Sequence, residues 1–207
     1  MALKLDMSKA YDRVEWGYLR TIMVKLGFCD RWVNWIMERI TIVFSSSNII
    51  GEPKGYVITS TGIRQGDPLP PYLLLLVSEG FTNLSDQAGR GKRLTGMKFS
   101  RSGLSITHIF FADDSLIFCK ADKKQAEEVS GILKTYEKGS GQVINMEKSS
   151  VFFSRNVEPN KQRQICSSLE SIKVVKLGKY LGLPMVITKT KDQIFSFIRE
   201  KCKKKQS

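Results

Sequence analysis

Three aspartates beside apolar runs are the residues whose type and spacing point most directly to chemistry. Asp6 follows the run "LKL", and Asp113 and Asp114 separate "FFA" from "SLIF". Neighbouring carboxylates repel one another and are costly to bury, so a fold that keeps them beside core segments must offset their charge. If the first strand lies beside a hairpin that turns at the pair, the three carboxylates meet at one edge of a sheet. They would then bind two Mg²⁺ or Mn²⁺ ions about 4 Å apart, an arrangement suited to in-line displacement at phosphorus.

The same aspartates also have a simpler interpretation. Two adjacent aspartates are common in turns, and Asp6 could cap a helix, so on these residues alone a turn is favoured. The segment "GIRQGDPL" adds two glycines that let a backbone approach a ligand, with Arg64 and Gln65 as donors for a phosphate and a base or sugar edge. That segment could equally be a surface turn capped by Asp67.

Hydrophobic patterns predict the elements that would hold these residues. The alternating run "ALKLDM" predicts a strand that ends near Asp6. Apolar residues at helical spacing predict a helix from about Glu15 to Leu26. Asp30 can cap a second helix, whose predicted apolar positions are Trp32, Trp35, Ile36 and Ile40.

The rest of the chain alternates short strands and helices. Two apolar runs of strand length flank Asp113 and Asp114, and the pair sits where a hairpin would turn. We further predict a hairpin over 45–60, an apolar helix from about Tyr72 to Ala88, an amphipathic helix over 122–141, a strand over 143–154, a helix around 158–170, a short strand over 179–185 and a Lys-rich terminal helix. This order predicts an α+β fold with a mainly antiparallel sheet backed by helices.

Composition narrows the choice of partner. The 207 residues include 33 Lys and Arg against 20 Asp and Glu, a net charge of +13 that suits binding to nucleic acid or, equally, a basic soluble surface. His108 is the sole histidine and the four cysteines form no C-x-x-C pair, so a structural zinc site is not expected. The longest apolar run, 72–77, is too short to cross a bilayer and the N-terminus has no secretory pattern. We therefore expect an intracellular protein, nuclear or cytoplasmic, with no membrane partner.

Five segments, taken in order, resemble the palm of a reverse transcriptase, most closely the palms of LINE-type, non-LTR retrotransposons such as those abundant in plant genomes. They cover nearly the whole chain and are "LKLDMSKAYDRVEW" (3–16), "GIRQGDPLPPYLL" (62–74), "FFADDSLIF" (110–118), "GSGQVINMEKSSVFFS" (139–154) and "GKYLGLP" (178–184). The resemblance implies a right-hand polymerase palm and RNA-directed DNA polymerase activity. It also shifts the interpretation of Asp113 and Asp114 from a turn to a metal site.

The resemblance assigns roles to the residues nearest the chemistry. Asp6, Asp113 and Asp114 match the catalytic, metal-binding aspartates of the family. Tyr11 matches the aromatic residue that lies under the sugar of the incoming nucleotide and excludes a 2′-hydroxyl, although a tyrosine here could also be part of the core. The implied cofactors are two Mg²⁺ or Mn²⁺ ions. The implied partners are an RNA template, a DNA primer and a deoxynucleoside triphosphate.

Three further motifs would contact the nucleic acid or the nucleotide. Gln65 and Gly66 match the loop that touches the incoming nucleotide and the template, and Arg64 supports that loop. Lys148 matches a lysine proposed to help protonate pyrophosphate, although a solvated lysine after a strand is almost as compatible with the sequence. The primer grip matches the turn Tyr180, Leu181 and Gly182.

Several departures from the family pattern leave activity open. Pro70 stands where serine is usual and would remove a helix cap, and Gln142 stands where leucine is usual. We expect an N-terminally truncated palm over 1–184, with fingers and thumb largely missing, and a basic C-terminal helix over 185–207 that could begin a thumb or a connection. The alternative to an enzyme is a catalytically inactive, element-derived remnant acting at most as a basic nucleic-acid-binding domain. A third reading has fingers and thumb supplied by another polypeptide.

Overall fold

The computed structural model describes residues 1–42, 44–49, 52–98, 100, 103–111, 114–170, 172–175, 179–180 and 183–184. Its helices are α1 (Trp16–Lys25), α2 (Asp30–Thr41), α3 (Pro70–Arg90), α4 (Lys123–Ser140) and α5 (Pro159–Ser168). Its strands are β1 (Ala2–Asp6), β2 (Phe44–Ile49), β3 (Glu52–Ile58), β4 (Met97–Lys98), β5 (Ser105–Ile106), β6 (His108–Phe111), β7 (Asp114–Phe118), β8 (Ser150–Phe152), β9 (Lys173–Val174), β10 (Lys179–Tyr180) and β11 (Leu183–Pro184).

A five-stranded sheet with the order β6, β7, β1, β8, β9 is the centre of the fold. The strand β1 pairs antiparallel with both of its neighbours, and β6 pairs antiparallel with β7. The pairing of β8 with β9 is parallel. Helices and a mainly antiparallel sheet confirm the predicted α+β class.

Side-chain alternation along β1 gives the sheet two different faces. Leu3 and Leu5 are 0% and 1% exposed and belong to the main hydrophobic core, together with residues of α1, α3 and α4. Lys4 and Asp6 are half-buried on the opposite face. Because directly paired residues of neighbouring strands share a face, Asp114 and Leu116 of β7 lie on this second face as well. The sheet therefore presents its acidic side chains on the side away from the main core.

Close approach of three helices depends on two glycines. The ring of Tyr18 in α1 lies against Gly80 of α3 and Gly139 of α4, and it meets Tyr136 edge to face with ring centroids 6.5 Å apart. A methyl group added at Gly80 would overlap the Tyr18 hydroxyl, and one added at Gly139 would lie 3.3 Å from the ring. The tyrosine ring thus fills space that glycine leaves free on two helices.

The single histidine is part of the packing of β6 against α3. His108 meets Phe81 edge to face with ring centroids 5.5 Å apart, and its ring nitrogens lie within hydrogen-bonding distance of the Thr82 and Thr107 hydroxyls. Burial lowers its pKa from the ordinary value, although Asp86 and Glu79 act in the opposite direction. These contacts give His108 a structural position in the helix and sheet interface.

The second helix exposes two residues that the sequence pattern placed on its apolar face. Val33, Ile36 and Ile40 are buried, whereas Trp32 and Trp35 are 44% and 51% exposed. Helical spacing alone cannot distinguish the buried residues from the exposed ones here, because the two tryptophans lie directly beside the buried stripe. The predicted helix is present, and its two indoles lie beside the buried stripe and not in it.

Smaller differences concern element ends. Asp30 is the first residue of α2, and its side chain does not cap that helix. The strand predicted over 143–154 is limited to Ser150–Phe152, and an isolated bridge between Met7 and Ile144 precedes it. The strand predicted over 179–185 is a pair of short strands, β10 and β11, that pair antiparallel. The terminal helix predicted within 185–207 lies outside the described residues.

The two departures from the family pattern fit the structure locally. Pro70 is the first residue of α3 and not its cap, so the prediction that it removes a cap is wrong, since a proline at that position loses no hydrogen bond of the helix. Asp67 accepts a hydrogen bond from the Leu69 amide at 3.1 Å in the turn that precedes the helix. Gln142 is 1% exposed, as expected for a core position, and its side-chain amide donates to the Ala10 carbonyl at 2.9 Å.

Within the part of the chain that the structure describes, no helix combines the length and the apolar character needed to cross a membrane.

The glycine contacts predict opposite effects for two equivalent substitutions. Gly80→Ala should lower the free energy of unfolding by about 1–3 kcal/mol because the added methyl displaces Tyr18. Gly131→Ala is the matched control. It lies inside α4 with no atom near its added methyl, so it should raise the free energy of unfolding by about 0.5–1 kcal/mol. Urea unfolding measures both, and Tyr18→Phe should recover part of the loss in the Gly80→Ala background.

Candidate active site

Two aspartates lie directly opposite each other where β1 and β7 meet. The register pairs Asp6, the last residue of β1, with Asp114, the first residue of β7. Directly opposed side chains of antiparallel strands have Cβ atoms about 4.5–5.5 Å apart, so the carboxylates share one small region of the second face. The structure thus brings together Asp6 and Asp114, which are 108 positions apart in the sequence. Asp113 lies outside the described residues.

A lysine offsets part of this negative charge. The Lys4 ammonium lies 3.3 Å from Oδ1 of Asp114, and both side chains are 24% exposed. Lys4 precedes Asp6 by two positions on β1 and therefore points to the same face. A cation is already accommodated beside Asp114, which supports the expectation that these carboxylates attract positive charge.

The backbone of Asp6 is held from the side opposite Asp114. The Asp6 amide donates to the Ser149 hydroxyl at 3.2 Å, and the Asp6 carbonyl accepts from the Asn145 amide at 2.8 Å. Ser149 is 1% exposed, and its hydroxyl also donates to the Asn145 carbonyl at 2.7 Å. The segment 145–149 therefore fixes the position of Asp6, a role that nothing in its local sequence pattern signals.

The glycine-containing segment 62–67 docks on the connection between β1 and α1. The Ile63 amide donates to the Tyr11 carbonyl and the Gly62 amide donates to the Val14 carbonyl, both at 2.8 Å. The indole of Trp16 donates to the Gly62 carbonyl at 2.7 Å. Gly62 has a φ of +93°, which favours glycine over other residues. These bonds tie the second motif to the first.

The residues at the tip of this segment are free of the core. Arg64, Gln65 and Gly66 are exposed, while Asp67 forms an ion pair with Arg39 of α2 at 3.3 Å. Gly66 has a φ of +95° and no neighbouring atom near the position of an added methyl. The segment is therefore anchored at its start and at Asp67, and it exposes donors between these points.

Other predicted site residues are placed as follows. Tyr11 is half-buried and its side chain packs against the core, which agrees with its interpretation as a core residue. Its carbonyl accepts the hydrogen bond from the Ile63 amide. Lys148 is exposed, with its amide donating to the Asn145 side chain at 3.3 Å. Tyr180 lies in β10, and Leu181 and Gly182 fall outside the described residues.

The two described carboxylates, Asp6 and Asp114, are ligands suited to a hard divalent cation. Among the described ranges, which omit 112–113, no group of three histidine, cysteine or acidic side chains is positioned to hold a metal. Asp6 and Asp114 supply carboxylate oxygens, which Mg²⁺ and Mn²⁺ prefer, on a face that already holds the Lys4 ammonium. Two such carboxylates are a partial ligand set.

A family model described as reverse transcriptase (RNA-dependent DNA polymerase) matches residues 1–185. Among curated proteins, an uncharacterised mitochondrial protein of Arabidopsis thaliana is 45% identical over 67 residues, covering 32% of this chain and 55% of its own length. The retrovirus-related Pol polyprotein from the type-1 retrotransposable element R2 of Popillia japonica is 26% identical over 149 residues, 70% of this chain and 23% of the polyprotein. The transposon TX1 uncharacterised 149 kDa protein of Xenopus laevis is 28% identical over 187 residues, 87% of this chain and 13% of that protein.

Solved structures give the same fold. Telomerase from Candida albicans, in complex with a TWJ fragment of telomeric RNA, aligns with 90% of this chain and 30% of its own at a TM-score of 0.62 and 16% identity. Apo telomerase from Candida tropicalis, truncated from its C-terminal domain, aligns with 88% of this chain and 33% of its own at a TM-score of 0.62 and 14% identity. The sheet and its helices therefore have the polymerase palm fold. The chain spans about half the length of the Arabidopsis relative and less than a quarter of the two transposon proteins.

The docking of segment 62–67 predicts a difference between its two glycines. An alanine at Gly62 needs an unfavourable positive φ and would place its methyl 2.7 Å from the Asp12 carbonyl oxygen, whereas an alanine at Gly66 bears the conformational cost alone, about 1–2 kcal/mol. Gly62→Ala should therefore destabilise more and detach the segment. Tryptic cleavage after Arg64 should be faster in Gly62→Ala than in Gly66→Ala. Equal cleavage rates would contradict the proposed anchoring.

Proposed function

Because the chain belongs to the reverse transcriptase (RNA-dependent DNA polymerase) family, we propose that it binds two Mg²⁺ or Mn²⁺ ions through Asp6, Asp113 and Asp114 and transfers nucleotides to a primer. The observation that carries the proposal is the direct register pairing of Asp6 with Asp114. Family membership rests on a model that matches 1–185, and the transposon relatives are polyproteins or proteins much longer than this chain.

The proposed reaction joins a DNA primer to a deoxynucleoside triphosphate that an RNA template selects. The primer 3′-oxygen forms a bond to the α-phosphorus, the bond from that phosphorus to the bridging oxygen breaks, and pyrophosphate leaves while the 3′-hydroxyl loses its proton. When bound, the ions would activate the attacking oxygen and neutralise charge on the leaving group. The carboxylates of Asp6 and Asp114 orient that chemistry at the end of a rigid sheet, so positioning and electrostatics supply much of the catalysis.

The residues around the aspartates have proposed roles in holding substrate. Tyr11 lies under the sugar of the incoming nucleotide and excludes a 2′-hydroxyl by its size. Arg64, Gln65 and Gly66 contact the nucleotide and the template, for which their exposure and their anchored segment are suited. Lys148 donates a proton toward pyrophosphate.

The remaining proposals concern the nucleic acid and the rest of the polymerase. Tyr180, Leu181 and Gly182 hold the primer end. The net charge of +13 supports backbone contacts to template and primer. Segments equivalent to fingers and thumb are proposed to act together with this palm, within one chain or from another polypeptide.

Metal binding tests the acidic site directly. Asp6→Asn and Asp114→Asn should each weaken Mn²⁺ binding by at least about tenfold, because a neutral amide replaces a charged ligand. Asp86→Asn is the matched control, since it removes an exposed carboxylate from α3 and should bind Mn²⁺ as the wild type does. Calorimetric titration with Mn²⁺ measures all four proteins, and equal affinities would refute the metal site.

Primer extension on an RNA template separates a polymerase from a binding module. Product formed by the wild type and by Asp86→Asn, but by neither site variant, would support catalysis. Salt-sensitive RNA binding without product would support the alternative of an inactive nucleic-acid-binding domain.

Lys4 provides an independent prediction about the same carboxylates. Lys4→Met removes the ammonium 3.3 Å from Asp114 and the repulsion that it exerts on an entering cation, so Mn²⁺ should bind roughly twofold to fivefold more tightly. Lys120→Met removes an exposed lysine elsewhere and is the control. Unchanged or weaker Mn²⁺ binding in Lys4→Met would contradict competition between lysine and metal.

A further inference from the structure

The exposed side of α2 carries two indoles that the fold does not use. Trp32 and Trp35 are 44% and 51% exposed and meet edge to face with ring centroids 6.4 Å apart. The packing of α2 is supplied by Val33, Ile36 and Ile40, which are 0%, 6% and 7% exposed. Large exposed aromatic side chains that the core does not need are typical of binding surfaces.

Arginines extend this aromatic pair in both directions along the helix. Arg31, Trp35 and Arg39 are spaced by four residues, and Trp32 precedes Trp35 by three, so all four lie on one exposed side of α2. The Arg31 guanidinium lies 4.6 Å from the centroid of the Trp35 ring. We name these four residues the α2 stripe. From Arg31 to Arg39 the stripe is about 12 Å long, the length of roughly three stacked bases.

The far end of the stripe reaches the segment assigned to template and nucleotide. Arg39 Nη2 lies 3.3 Å from Oδ2 of Asp67, the residue that ends the exposed tip Arg64, Gln65 and Gly66. Arg20 of α1 flanks the stripe through a 2.9 Å bond to the Asn34 side chain. A strand lying along the stripe would therefore lead directly to this tip.

We propose that the α2 stripe binds single-stranded RNA, by stacking bases on Trp32 and Trp35 and by pairing arginines with phosphates, and that it guides the template toward segment 64–67. The proposal rests on the proposed function, because that function assigns the segment to the template. Stacking on aromatic rings is independent of sequence and little affected by salt, whereas arginine contacts to phosphate weaken as salt rises. Arg39 is paired with Asp67, and Arg20 and Arg31 lie beside the indoles. The net charge of +13 of the whole chain supplies the long-range attraction that favours an RNA strand as the partner.

Fluorescence anisotropy with a labelled, unstructured RNA of about 12 nucleotides tests the stripe in the 207-residue chain. Replacing both indoles, Trp32→Ala with Trp35→Ala, should weaken RNA binding by about tenfold or more, and the loss should persist from about 50 to 300 mM salt. Replacing both by phenylalanine keeps aromatic rings and should recover most of the affinity. Leu104→Ala, at a residue 89% exposed, is the control for loss of an exposed apolar side chain and should bind RNA as the wild type does.

Two outcomes would overturn the proposal. The first is unchanged RNA affinity in the double alanine variant when its thermal unfolding matches the wild type. The second is self-association of the wild type, measured by sedimentation, that the double alanine variant loses while RNA binding stays intact, because the stripe would then be an interface between protein copies. The Asp6→Asn and Asp114→Asn proteins separate failure of the stripe proposal from failure of the proposed polymerase function. In each of them, replacing both indoles by alanine should still weaken RNA binding, even where primer extension fails.

Discussion

Repulsion between two carboxylates is the constraint around which the sheet is organised. The register sets Asp6 against Asp114, and a pairing shifted by one residue would turn one of them into the apolar core. Like charges directly opposite destabilise a pair of strands, so the arrangement persists because the rest of β1 and β7 compensates. Leu3, Leu5 and Ile117 supply that compensation as almost fully buried neighbours, and Lys4 supplies an opposite charge on the acidic face.

Hydrogen bonds to the backbone link the segments of the site, which lie far apart in the chain. Asn145 and Ser149 hold the main chain of Asp6, the side chain of Gln142 holds Ala10, and Tyr11 and Val14 hold the segment that begins at Gly62. None of these bonds uses an acidic or basic side chain. These bonds therefore fix the backbone at Asp6 and at the start of segment 62–67.

Much of the fold could be predicted from local pattern. Alternation of apolar and polar residues predicts β1, and apolar runs around Asp113 and Asp114 predict the strands β6 and β7, because both signals come from neighbours in the sequence. Contacts over long separations have no such signal, which explains why Ser149 and the Lys4 ion pair were not predicted. The exposure of Trp32 and Trp35 could not be predicted for another reason. Their apolar character fits a buried stripe, and only the packing of α2 shows which side of the helix faces the core.

The position of β1 inside the sheet has a consequence for the order of assembly during synthesis. Its five residues leave the ribosome well before both strands that pair with it, because β7 and β8 begin more than 100 residues later in the chain. Until Asp114 to Phe118 and Ser150 to Phe152 have emerged, both edges of β1 remain open to other strands. The sheet is therefore dominated by contacts of large sequence separation, which close slowly and leave a nascent chain open to aggregation. A ribosome paused before residue 150 would present a strand that already carries Asp6 but has no completed sheet to hold it.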